Sequence, residues 1–129
     1  MRRGHILLGI HRFDEALAAW TDLEQATQDI ALKYLVRLFR GLAYEGLARD
    51  ADAKAAYASA AAISPGAHSV NIRLAALAFR AGRTDESDRV LAALLTDDDP
   101  RRDPWWSYYA ADWRFWYPDI ERVRALLKP

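Results

Sequence analysis

The chain contains no cysteine, so no disulfide staples it and no thiolate serves as nucleophile or metal ligand. It carries no net charge, with 18 basic side chains set against 18 acidic ones. A neutral chain sets up no field that draws in a phosphate backbone, which argues against nucleic acid as a partner. It has no apolar run of about 18 residues, the least that crosses a bilayer as a helix, so no membrane span is expected. The apolar run after Arg2-Arg3 is about five residues long, short of the ~7–15 in a signal peptide, and reads as helix instead. A soluble chain, cytoplasmic by default, is the expectation. Glycine and proline are few, six and five, so a disordered chain is not expected. The β-branched residues Val, Ile and Thr are also scarce, which argues against a sheet.

What the chain does have is alanine, leucine and a dense run of aromatics. Hydrophobic residues make up 52% of its 129 residues, enough for one domain with a real core. Breakers fall at Arg49-Asp50, Ser64-Pro65-Gly66, Gly82-Arg83-Thr84, and from Asp99-Pro100 through Asp103-Pro104. Apolar residues between them keep helical spacing: Leu35, Leu38, Phe39 and Leu42 lie on one face, as do Ala53, Ala56, Tyr57 and Ala60. The pattern predicts an all-α fold with helices at roughly 2–10, 13–28, 33–48, 52–62, 69–81, 85–95, 104–116 and 119–127, paired antiparallel across short turns. Asp50 or Asp52, and Thr84 or Asp85, are suited to open helices as side-chain caps. Gly82 suits the left-handed residue that closes the helix before it.

A repeat runs through these helices. It is clearest in the series Gly41, Tyr44, Ala53, Tyr57, Ala60 and Pro65. The same steps taken from Ala75 reach Ala78, Ser87, Leu91, Leu94 and Asp99. Taken from Gly4 they reach Leu7, Ala16, Trp20, Leu23 and Gln28. The pattern resembles the tetratricopeptide repeat, a helix–turn–helix unit of about 34 residues in which small residues let two helices approach and large ones fill the space between. Residues 41–66 match it best and residues 74–100 next. The first unit lacks the start of its opening helix, which suggests a piece of a longer protein. The resemblance implies one domain: a short right-handed α-solenoid with units at about 1–31, 34–67 and 68–101 and a divergent capping pair at 102–129.

Residues 105–117 hold eight aromatic side chains, including four of the five tryptophans. Trp106, Tyr109, Trp113 and Trp116 fall in one helical stripe, with Trp105, Tyr108 and Asp112 beside it. The cluster is expected to seal the open end of the stack, or to present part of itself, with Trp106, Trp113 and Trp116, as an exposed binding or dimerisation patch.

Catalytic and metal chemistry is not expected. His5 and His11 are six residues apart and do not share a helix face as a zinc pair would; they read as solvent-facing or lightly packed. Asp97-Asp98-Asp99 places Arg102 and Tyr108 where a calcium loop needs Gly and Glu, so it reads as a solvated turn. There is no phosphate-cradling glycine loop, and no serine sits in a nucleophile elbow. Asp14-Glu15 and Asp85-Glu86 stand at helix starts, where they offset the helix dipole. No catalytic residue, cofactor or metal ligand is therefore assigned.

In the family that the chain resembles, the first helix of each unit lines a concave surface. Carried across, the lining is Leu35, Leu38, Phe39, Leu42 and Glu45, then Ser69, Ile72, Arg73, Ala76, Phe79 and Arg80. Some family members grip a partner's terminal carboxylate with lysine and asparagine there; Leu42 and Ala76 stand at the asparagine positions here, so that mode is not expected. The resemblance implies a non-catalytic scaffold or adaptor that holds a protein or peptide in an apolar groove, unless missing upstream repeats or the aromatic tail cover it. The alternatives are homo-oligomerisation through the aromatic helix and an accessory domain of an enzyme.

Overall fold

The computed structural model describes residues 1–96, 103–106, 108, 122, 125 and 126. Among them the chain is all-helical and contains no strand. Six helices follow in order: α1 (Arg2–Gly9), α2 (Phe13–Ala26), α3 (Ile30–Gly46), α4 (Asp50–Ile63), α5 (His68–Arg80) and α6 (Thr84–Leu95). Each packs on the helices before and after it, and α1 also touches α3. Helices in contact across connections of three or four residues run antiparallel. The expected helices at 104–116 and 119–127 fall largely outside the described residues, as do Asp97 to Asp99.

The helices close in the same way three times. Arg12 N–H donates to the Leu7 carbonyl at 2.8 Å, Arg49 N–H to Tyr44 at 2.9 Å, and Arg83 N–H to Ala78 at 2.9 Å. In each turn the preceding residue is left-handed: His11 at φ 61°, Ala48 at φ 56° and Gly82 at φ 78°. Such a turn satisfies the orphan carbonyls of the ending helix and lets the chain reverse at once. Only the third uses the residue best suited to that backbone. The arginine then begins the next helix and reaches forward three residues, Arg12 to Glu15, Arg49 to Asp52 and Arg83 to Glu86. This corrects the expected caps. No side chain caps α4 or α6; the turn itself delivers Arg49 and Arg83 to that position, and Asp52 is taken by Arg49. Helix α3 starts three residues earlier than the apolar pattern indicates, because the Asp29 carboxylate accepts the Leu32 N–H at 3.0 Å.

The core follows the small and large positions of the repeat. Gly4, Gly41 and Ala75 are buried, and so are Ala16, Ala53 and Ser87. A methyl group at Gly4 would overlap the Trp20 indole, and one at Gly41 would overlap the Tyr57 ring. Each glycine thus lets a large ring from the second helix lie on the backbone of the first. Trp20 and Tyr57 are fully buried, whereas Leu91, at the same step of the third unit, is 41% exposed. Buried Leu7, Trp20, Tyr34, Val36, Phe39, Tyr57 and Val70 belong to one contiguous core from α1 to α5.

Candidate functional site

The expected lining divides into two parts. On α3, Leu35, Leu38 and Phe39 are buried and Leu42 is half-buried, so these side chains belong to the chain's own core. On α5, Ile72 is 52% exposed and Phe79 65% exposed, and Arg73 and Arg80 are exposed beside them. Ser69, Ile72, Ala76 and Phe79 recur at intervals of three and four, which sets them on one face of α5.

Phe39 is buried by aromatic rings drawn from three other parts of the chain. Its ring stacks on Trp20 at 5.6 Å and meets His5 edge-on at 5.1 Å. Trp105 and Tyr108 approach it edge-on at 5.7 and 5.6 Å. Each such pair is worth about 0.5–1.5 kcal/mol beyond the area it buries. His5 is held between Phe39 and Tyr108 with its Nδ1 3.3 Å from the Tyr108 hydroxyl. The start of the aromatic tail therefore lies on α1 and α3, over part of the surface the repeat pattern assigns to a partner. Trp106 is 48% exposed. Trp113 and Trp116 lie outside the described residues.

Asp103, which belongs to a segment that reads as a breaker in sequence, is 2% exposed. Its carboxylate accepts the Trp105 N–H at 3.0 Å and the Ser69 N–H at 2.7 Å, so it opens its own short helical turn and seats on the first turn of α5. The Ser69 hydroxyl is 2.7 Å from the hydroxyl of buried Tyr34. Burial, and then the Asp103 charge, push the Tyr34 phenol up, so it stays protonated. The signal for Asp103 is present in the sequence: aspartate then proline is the pairing of a helix cap with a first helical residue that needs no N–H. That it would also seat on α5, a whole repeat length earlier in the chain, is not.

Two polar clusters tie neighbouring helices. Glu24 on α2 accepts from Arg37 at 2.7 Å and Arg40 at 3.0 Å, both on α3. Burial opposes its charge, but the two guanidinium groups outweigh it and hold the carboxyl below its usual range. Glu45 on α3 accepts from the Tyr57 hydroxyl on α4 at 2.5 Å and from Arg80 on α5 at 2.9 Å. Burial first, then the neighbouring Glu45, push the Tyr57 phenol up. In both clusters the charges answer one another.

A separate cleft of about 520 Å³ lies between the Pro65-Gly66 turn and α6, lined by Asn71, Glu86, Arg89 and Leu94. It shares no residue with the α3–α5 surface. Among the described residues, no three histidines or carboxylates converge as a metal site would need. No described helix is long and apolar enough to cross a membrane. The chain matches no protein-family model, no curated protein and no solved structure.

Proposed function

We propose that the chain is a non-catalytic interaction module of the tetratricopeptide type, its helix pairs stacked as a short solenoid, that holds a peptide or helix of a partner protein. Two observations support the solenoid reading. The closing turns at His11, Ala48 and Gly82 share one hydrogen-bond pattern and recur at close to one repeat length, and the small repeat positions are the buried ones. The observation that carries the function is the exposed stripe on α5, where Ile72 and Phe79 stand one two-turn step apart and are more than half exposed. Apolar side chains so placed, flanked by exposed Arg73, fit the apolar face of an amphipathic segment with an acidic flank. Leu35, Leu38 and Phe39 are buried against other parts of the chain, so the part of the expected lining left exposed is on α5.

The test is selection of peptides from a displayed random library on the full chain. Selected peptides should be apolar and acidic, and Ile72→Asp or Phe79→Asp should weaken them at least tenfold with unchanged circular dichroism. Failure to enrich any peptide, or binding indifferent to both substitutions, would sink the reading. A second reading, self-association through the aromatic segment, draws on half-exposed Trp106. Sedimentation equilibrium decides it: a monomer up to millimolar concentration rules it out.

A further inference from the structure

The segment carrying Asp103, Trp105 and Tyr108 lies outside the six helices, yet it seats on three of them. A carboxylate leaves water only where its charge is answered. Asp103 meets that condition on α5, where the Ser69 N–H donates to Oδ2 at 2.7 Å within the electropositive first turn. Its other oxygen is held by its own segment, through the Trp105 N–H. Two residues on, Trp105 lies against Phe39; five residues on, Tyr108 lies against Phe39 and His5. The surface thus presents a carboxylate seat at one end of the α5 face and an aromatic seat on α1 and α3 beside it. Both are filled by one short stretch of chain.

We propose that this surface is a peptide-binding site with the chain's own segment as its resident ligand. The partner it fits is a short peptide presenting a carboxylate followed, two and five residues later, by aromatic side chains. The inference rests on the reading of the chain as a peptide-holding module and names the ligand chemistry for one end of its groove. A tethered segment competes at an effective concentration on the order of millimolar. A peptide in trans therefore binds the native chain weakly, and tightly once the resident segment's own grip is loosened.

The probe is a fluorescein-labelled synthetic peptide spanning residues 101–110, titrated by fluorescence anisotropy against the full wild-type chain and against full-length Asp103→Asn and Tyr108→Ala. Both variants should bind it at least tenfold more tightly than wild type. A peptide with asparagine in place of its aspartate should bind the variants at least tenfold more weakly. Equal affinity for wild type and variants, or indifference to the aspartate, overturns the proposal. If the variants lose their helical circular dichroism, ¹⁵N-labelled wild type decides instead. Saturating peptide should then shift the Ser69 amide and the Trp105 indole signals, and no shift up to millimolar peptide overturns the proposal. Failure here, with library peptides still bound through Ile72 and Phe79, removes the seat and leaves the module reading standing; loss of both removes both.

Discussion

Gly41 on α3 lies flat against the ring of Tyr57 on α4, with no room between them for a methyl group. Tyr57 is fully buried and its hydroxyl is bound to Glu45, so the ring has little freedom to retreat. Gly41→Ala gains about 1 kcal/mol of helix propensity but overpacks a filled site, at about 1–3 kcal/mol or more. A net loss of up to about 2 kcal/mol is expected by urea denaturation. Gly9→Ala is the control: it is a helical glycine with nothing within 4 Å of the added carbon. It should gain about 0.5 kcal/mol, because only propensity acts there. A gain at both positions would mean that the α3–α4 approach is looser than the structure shows.

The three closing turns share a backbone but not a residue type. A non-glycine residue in the left-handed region gives up about 1–2 kcal/mol, of which glycine's larger unfolded entropy returns roughly 0.5–1 kcal/mol. Ala48→Gly and His11→Gly should therefore each stabilise by about 0.5 kcal/mol, while Gly82→Ala destabilises by about 0.5–1 kcal/mol. Denaturation midpoints of the three variants, moving in those opposite directions, check it.

Glu24 makes stability depend on acid. Its folded carboxyl is held below the ordinary value by Arg37 and Arg40, against the opposing effect of burial. As pH falls, the unfolded chain takes up the proton first, near pH ~4.3. The stabilisation is thus fully present above that pH and is lost as pH falls through the lower, folded value. Glu24→Gln should cost about 1 kcal/mol at neutral pH, less than a fully buried charged pair because the cluster is part-exposed. The gap between wild type and variant should narrow as pH falls below ~4.3. A gap unchanged from neutral pH down to pH ~3 contradicts the assignment.

The Glu45 cluster separates a buried bond from an exposed one. Arg80 is 49% exposed and its pairing with Glu45 is worth less than about 1 kcal/mol. Glu45→Ala also removes the partner of a buried tyrosine hydroxyl, a loss of about 1–3 kcal/mol. Glu45→Ala should therefore destabilise more than Arg80→Ala, and in a Tyr57→Phe background the difference should shrink. Equal losses for the two single substitutions would place the stabilisation in the ion pair instead.

Much of the architecture is legible along the chain because its causes are local. Helical periodicity in Leu35–Leu38–Phe39–Leu42 and the breakers at residues 64–66 and 82–84 act within a few positions, and they place all six helices nearly where they lie. The one-repeat spacing of Gly41 and Ala75 picks out buried small residues because a helix backbone can approach another only where no side chain intervenes. The arginine three positions before an acid, at 12, 49 and 83, takes on meaning only from the closing turns that the structure shows there. The partner surface is less legible. An apolar stripe on a helix reads the same whether it faces solvent or another part of the chain. Phe39 and Phe79 are alike in type and in helical setting, yet one is 1% and the other 65% exposed. Only the tertiary structure decides between them, by bringing Trp105 and Tyr108 across half the sequence to Phe39 and seating Asp103 on Ser69. Those contacts depend on where the chain returns in space, which no local propensity encodes.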